Sequence, residues 1–217
     1  MTAVAGVAIA VTACGPLQLG AVAIYGDQRI TTAKLTAEVA NLNAAYQADK
    51  SKVHIGYGPA DMPRQVLTWM VRFATRERLG QLRHIAVTPG QSERALAAVA
   101  ASVRQSGSTL ALAATSAGLP PDMLSELGRY VAIETVLQNR LDHGVPPTTS
   151  AQNAALTAAL ARLECQAAKS LTIKINPQYG ALDYGQYMVV PTSNTLSAAG
   201  PRAGKKPASA PRLTPAC

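Results

Sequence analysis

Apolar residues recur at intervals of three and four along most of this chain, which is the period of an amphipathic α-helix. One face of the first such segment carries Leu35, Val39, Leu42 and Tyr46. The same spacing, interrupted by Gly and Pro breaks, predicts helices over residues 31–47, 61–85, 89–104, 108–117, 122–142 and 150–168. Two of these helices begin with capping boxes, Thr88 to Gln91 and Thr149 to Gln152.

Short strand patterns occur near the two ends of this helical region. Residues 21–30 (AVAIYGDQRI) contain a Gly26-Asp27 turn and predict a strand or hairpin, and Leu171 to Ile175 (LTIKI) alternates as a second strand does. Because such short strands are unstable alone, we expect the first to pair with the last, near Ile24 and Ile173. The predicted fold is mostly α, a helical bundle of about six helices with a short β pair formed by strands near the two ends of the domain.

The composition agrees with a helical domain and adds a basic tail. Ala and Leu are frequent, and the 217 residues include one Trp and one Phe. Half of the net charge of +8 lies in residues 201–217, which carry Arg202, Lys205, Lys206 and Arg212 and no acid. Such a tail suits anionic lipid or cell-wall polymer. Nucleic-acid binding is not expected, because there is no zinc-finger spacing and no basic helix with interleaved aromatics.

The first fourteen residues are typical of a secreted, lipid-anchored protein. Residues 3–13 (AVAGVAIAVTA) are apolar or small, too short a run to span a bilayer, and end at Val11-Thr12-Ala13-Cys14. This ending resembles the bacterial lipobox, which implies acylation of Cys14, cleavage before it and attachment to the outer face of the cell membrane. Met1 to Ala13 lacks the expected Lys or Arg, so we expect a longer precursor. The alternative is a buried apolar segment with a chance cysteine.

These observations divide the chain into four parts. We expect a signal peptide over residues 1–13, a lipid-anchor linker over 14–20, the helical domain over 21–190 and a disordered Pro/Ala-rich tail over 191–217. Cys165 and Cys217 could pair outside the cytoplasm, but a buried, unpaired Cys165 is the preferred interpretation. Neither cysteine has a neighbouring His or Cys at metal-ligand spacing, so no metal is expected.

Candidate catalytic residues are not found. His54, His84 and His143 have no partner at catalytic spacing, and the nucleotide-binding, hydrolase and metalloprotease motifs are absent from the sequence. We therefore expect no enzymatic activity and no cofactor. The segment 61–85 combines an apolar stripe with Arg64, Arg72, Arg76, Arg78 and Arg83, which we expect to form a solvated charged face.

The order of these elements resembles a known family. A strand with a Gly-Asp turn and a helix precede VLTWMVRFATRERL (residues 66–79) and IAVTPGQSERALAAV (85–99), and LSELGRYVAIETVLQNRL (124–141) and INPQYGALD (175–183) follow. This series is similar to the SurA N-terminal-like domain of actinobacterial lipoproteins, over residues 21–183. Gln178 and Leu182 stand where that family commonly has Arg and an aromatic residue.

The resemblance implies a chaperone-type domain that binds unfolded or secreted polypeptides in an apolar groove. Trp69, Met70 and Phe73 are the candidate groove residues, with burial in the core as the alternative. Many members of that family also carry a parvulin prolyl isomerase domain, which we do not expect here, because after Ile175 the sequence predicts only a short loop and the disordered tail. The competing functions are a structural envelope lipoprotein that holds one specific partner and an enzyme related to prolyl isomerases.

Overall fold

The computed structural model describes residues 20–192. Within that range the helices are α1 (Thr32–Ala48), α2 (Met62–Leu82), α3 (Pro89–Gln105), α4 (Leu110–Ser116), α5 (Leu124–Leu141) and α6 (Ser150–Leu171). The strands are β1 (Ala21–Tyr25), β2 (Gln28–Thr31), β3 (Lys174–Ile175), β4 (Ala181–Asp183) and β5 (Met188–Val190). Single 3-10 turns at Pro59–Asp61 and Pro121–Met123 precede α2 and α5. The predicted mostly α fold with six helices is confirmed.

Threonine side chains close to the predicted helix starts cap helices α1, α3, α4 and α6. Both predicted capping boxes are present, with the Thr88 hydroxyl accepting from Gln91 N and the Thr149 hydroxyl accepting from Gln152 N. Helix α2 ends at Leu82, before its predicted end at residue 85, because Ile85 N donates back to Gly80 O at 2.9 Å. These local contacts explain why helix positions could be predicted from short stretches of sequence.

The two N-terminal strands and β3 form a three-stranded antiparallel sheet in the order β2-β1-β3. Ala23 pairs with Ile175 and Ile24 with Lys174, so the predicted pairing of the first strand with the strand after α6 is confirmed. The β1–β2 turn is fastened to the end of α6, because Gly26 N donates to Leu171 O at 2.6 Å. The sheet therefore brings the two ends of the helical region together.

A second hairpin, β4–β5, occupies a segment for which the sequence predicts only a loop, so that prediction is wrong. Strands of three residues are too short to show a recognisable alternation. Gly180 starts the hairpin with φ 126°, and a Cβ there would lie 2.3 Å from Val190 O. Val189 N donates to the Thr68 hydroxyl at 2.9 Å, which fixes the hairpin on α2.

Helix α2 contributes to both hydrophobic clusters of the described residues. The larger cluster joins it to α1, β1 and the β4–β5 hairpin through Leu35, Leu42, Val66, Leu67 and Val189, among others. The smaller cluster joins its second half to α5 and α6 through Leu79, Ile133, Leu137 and Ala167. Helix α2 is thus the central element, and the recesses described below open along it. In residues 20–192 no helix is both long and apolar enough to cross a membrane.

Candidate functional site

The most unusual side chain on α2 is Arg76, which is only 3% exposed. The expectation that all five arginines of this segment form a solvated face is wrong for Arg76. Its guanidinium forms ion pairs with Glu134 of α5, at 3.2 Å, and with Glu164 of α6. A buried charge must be paired, because desolvation is costly. Arg76 therefore ties together the three helices at the centre of the domain.

Tyr130 completes the surroundings of Arg76. Arg76 Nη2 donates to the Tyr130 hydroxyl at 2.9 Å, and the guanidinium carbon lies 4.1 Å from the centroid of the ring. Burial raises the pKa of Tyr130, and the neighbouring Arg76 partly offsets that rise. Arg76 Nε has no hydrogen-bond partner among the described residues. Arg76, Tyr130, Glu134 and Glu164 are called the Arg76 network below.

A cleft of about 500 Å³ opens between the β1–β2 hairpin, α2, α5 and the end of α6. Its apolar surface comes from Tyr25, Ile30, Met70, Phe73, Ala74, Met123, Ile133 and Leu171. Charged side chains of both signs also line it, namely Asp27, Arg29, Lys34, Arg76, Glu77, Arg78, Glu126 and Arg129. Arg129 forms a two-pronged pair with Glu77, at 2.7 and 2.8 Å, which braces α5 against α2 beside the opening. This recess is called the hairpin cleft.

The three predicted groove residues do not share one environment. Met70 and Phe73 line the hairpin cleft, although Met70 is only 6% exposed and also belongs to the core. Trp69 is not among the residues that line the cleft. Its indole nitrogen donates to Ala117 O at 2.9 Å, and its ring lies 5.6 Å from that of Phe73. Trp69 therefore connects α2 to the end of α4, and its ring packs against that of Phe73.

A second recess, of about 530 Å³, lies between α2, α6 and the turn of the β4–β5 hairpin. Its lining differs from that of the hairpin cleft, because it consists largely of three tyrosines and several polar or charged residues and has few aliphatic side chains. The residues are Arg72, Thr75, Tyr130, Ala161, Arg162, Glu164, Cys165, Tyr184, Gly185, Gln186 and Tyr187. This recess is called the polar cavity. Tyr130 lines both recesses, so the Arg76 network separates them.

Two of the three cysteines, Cys14 and Cys217, lie outside the described residues. Cys14, the predicted acylation site, falls in residues 1–19, and the predicted tail falls almost wholly in residues 193–217. Cys165 is buried as expected, but the expectation that it is unpaired is wrong, because it is disulfide-bonded. The other cysteine of that bond is not among residues 20–192. Those same residues contain no group of three or more His, Cys, Asp or Glu placed to hold a metal ion.

One sequence signal could have identified Arg76. It lies three residues after Phe73 and seven after Trp69, so it falls within the apolar stripe of α2 and not on the opposite face. Its partners Glu134 and Glu164 lie on other helices, and no spacing along the chain predicts these two pairings. Two recesses on either side of a buried ion-pair network are thus the candidate functional features.

The chain matches no model of a known protein family, no curated protein and no solved structure.

Proposed function

We propose that this chain is a lipid-anchored extracytoplasmic protein whose helical domain binds polypeptide segments without chemical change, as a SurA-like chaperone does. The observation that carries the proposal is the hairpin cleft of about 500 Å³, which is lined by the partly exposed apolar side chains of Tyr25, Phe73 and Ala74. Apolar side chains of a client that cover such a floor gain roughly 25 cal/mol for each Å² removed from water. Binding of this kind requires neither a cofactor nor a covalent step.

The charged rim of the hairpin cleft supports a broad choice of clients. Lys34, Arg78, Glu77 and Glu126 all line the cleft, so both signs of charge border the apolar floor. Exposed charges contribute little to affinity, because water and salt screen them. Since both signs are present, the rim favours neither acidic nor basic clients. The apolar floor then selects segments by burial, and the weak electrostatics allow clients to leave.

A pair of matched substitutions tests the cleft. Ala74 of α2 lines it, whereas Ala97 is exposed on α3 and is not among its lining residues. We expect Ala74→Glu to weaken suppression of the aggregation of a reduced, unfolded client protein, because a carboxylate then sits on the apolar floor. Ala97→Glu should act as the parent protein does. Thermal melts confirm that both variants fold, and failure of the parent to suppress aggregation at an equimolar ratio contradicts the proposal.

The three cysteines provide a test of the anchor. Disulfides persist in oxidising compartments, so the bonded state of Cys165 supports a location outside the cytoplasm. Only Cys14 and Cys217 can be its partner within the chain. Because an acylated thiol cannot form a disulfide, the proposal requires a Cys165–Cys217 bond and a diacylglyceryl group on Cys14. Peptide mapping of the protein from membranes measures both, and a Cys14–Cys165 bond would refute acylation.

The competing scaffold function differs in the number of partners. Affinity capture with the parent protein and with Ala74→Glu separates the two functions. Varied apolar clients that are lost from Ala74→Glu support chaperone-type binding. One stoichiometric partner retained by both proteins supports the scaffold.

A further inference from the structure

The polar cavity contains buried polar groups that nothing in the described residues satisfies. Of its lining residues, Thr75 is 2% exposed, and neither its hydroxyl nor the buried hydroxyl of Tyr187 has a hydrogen-bond partner within residues 20–192. Buried polar atoms are nearly always paired, because an unpaired one loses its hydrogen bonds to water. Two such hydroxyls in one recess of about 530 Å³ indicate that the recess receives a polar group from outside.

The hydroxyl of Thr75 is exceptional when compared with the other buried threonines of the helices. Thr68 donates to Arg64 O at 2.8 Å, and Thr115 donates to Ala111 O at 2.9 Å, each four residues earlier. This bond to the preceding turn is the usual solution for a threonine inside a helix. Thr75 does not make it. Its hydroxyl therefore has no partner within residues 20–192, and Thr75 is one of the residues that line the polar cavity.

Tyr187, in the turn of the β4–β5 hairpin, lines the polar cavity in an uncommon backbone conformation. Its φ of 50° lies in the left-handed region, which bulky residues rarely adopt. The ring of Tyr184 meets it edge to face, with centroids 6.4 Å apart. Burial and the nearby Glu164 carboxylate raise the pKa of Tyr187 far above its ordinary value, so this hydroxyl keeps its proton. It can therefore act as a hydrogen-bond donor.

The charges around the polar cavity favour an anion. Among the described residues that line the cavity, Glu164 is the only acidic one, and it shares the charge of Arg76 with Glu134. Arg72 and Arg162 add two positive charges. Arg72 uses Nε and Nη2 on the carbonyl oxygens of Tyr187 and Gln186, which leaves Nη1 for another acceptor. Hydroxyl donors together with arginine are the groups that bind a carboxylate.

We propose that the polar cavity binds a carboxylate together with a neighbouring aromatic side chain, with Thr75 and Tyr187 donating to the carboxylate oxygens and Tyr130 and Tyr184 packing on the aromatic ring. A volume of about 530 Å³ suits a small ligand of this class. This pair of groups occurs in a free N-acylated aromatic amino acid and at the end of a polypeptide whose last residue is aromatic. The inference does not depend on the hairpin cleft, because the hydroxyls that carry it line only the polar cavity.

Matched probes test the chemistry by titration calorimetry with the full chain. The free acids are N-acetyl-phenylalanine and acetyl-Gly-Ser-Gly-Phe, and the control for each is its carboxamide. We expect each acid to bind at least about tenfold more tightly than its amide, because hydrogen bonds to a charged group exceed those to a neutral one. Tighter binding of the peptide than of the single residue identifies a chain end as the source, and equal binding identifies the free acid.

Substitutions separate this binding from a structural role. Thr75→Val removes an unpartnered hydroxyl, so it should leave the melting temperature equal or higher while weakening the acid about tenfold. Tyr187→Phe should weaken the acid similarly. Thr115→Val, whose hydroxyl is paired within its own helix, should leave acid binding unchanged. The proposal is overturned if acid and amide bind equally, if neither acid binds at millimolar concentration, or if both cavity variants bind the acid as the parent does.

Discussion

Replacement of Arg76 by Met tests whether the Arg76 network holds the helices together. Methionine replaces the aliphatic stem of the side chain but removes the guanidinium charge that Glu134 and Glu164 share. Loss of one partner from a fully buried ion pair costs about 3–5 kcal/mol, because the remaining charge is stranded. The side chains of Glu134 and Glu164 are 32% and 22% exposed, so water relieves part of that cost. We therefore expect a loss near the lower limit, about 3 kcal/mol.

Urea unfolding followed by circular dichroism measures this loss. With a slope of about 2 kcal/mol per molar, the midpoint should fall by about 1.5 M. The control is Arg94→Met, since Arg94 is exposed on α3, and its midpoint should stay within about 0.3 M of the parent. Removing both stranded carboxylates, in Arg76→Met with Glu134→Gln and Glu164→Gln, should recover part of the loss. Equal midpoints for Arg76→Met and Arg94→Met would refute the reasoning.

Two further predictions concern the backbone and the tyrosines. Thr172, exposed at the end of α6 with φ 48°, is strained as a β-branched residue, so Thr172→Gly should raise the melting temperature by about 2–4 °C, whereas Thr172→Ala should not. Burial raises the pKa of Tyr25, Tyr57, Tyr130, Tyr184 and Tyr187. The unfolded chain therefore loses these protons first, and the free energy of unfolding should be constant up to about pH 9 and fall above pH 10. Tyr187→Phe should lessen that fall in urea midpoints measured from pH 8 to 11.5, and an identical pH profile for parent and variant would contradict this assignment.

The features predicted correctly from the sequence are those that short stretches determine. A capping box such as Thr88 to Gln91 needs only four residues, and both of its hydrogen bonds lie within them. The pairing of β1 with β3 could be predicted because two short strands flank one helical region and each needs a partner. These inferences did not require knowledge of how the helices pack.

The features that were missed depend on contacts between distant parts of the chain. The sequence predicts a solvated position for Arg76, because nothing in its own helix shows that Glu134 of α5 and Glu164 of α6 will pair with it. The β4–β5 hairpin could not be predicted from the sequence, because its strands have three residues each and a hydrogen bond to Thr68 of α2 holds it in place. The polar cavity could not be anticipated either, since Thr75 and Tyr187 lie on elements that only the fold brings together.

Site-specific photocrosslinking tests the central claim, client binding in the hairpin cleft, most directly. A benzoyl-phenylalanine at position 74 faces the cleft, and the same group at position 97 of α3 is its control. With an unfolded client present, the account predicts adducts from position 74 that an excess of unlabelled client abolishes, and few adducts from position 97. Equal labelling from both positions, or none from position 74, would contradict the assignment of the cleft as the polypeptide-binding site.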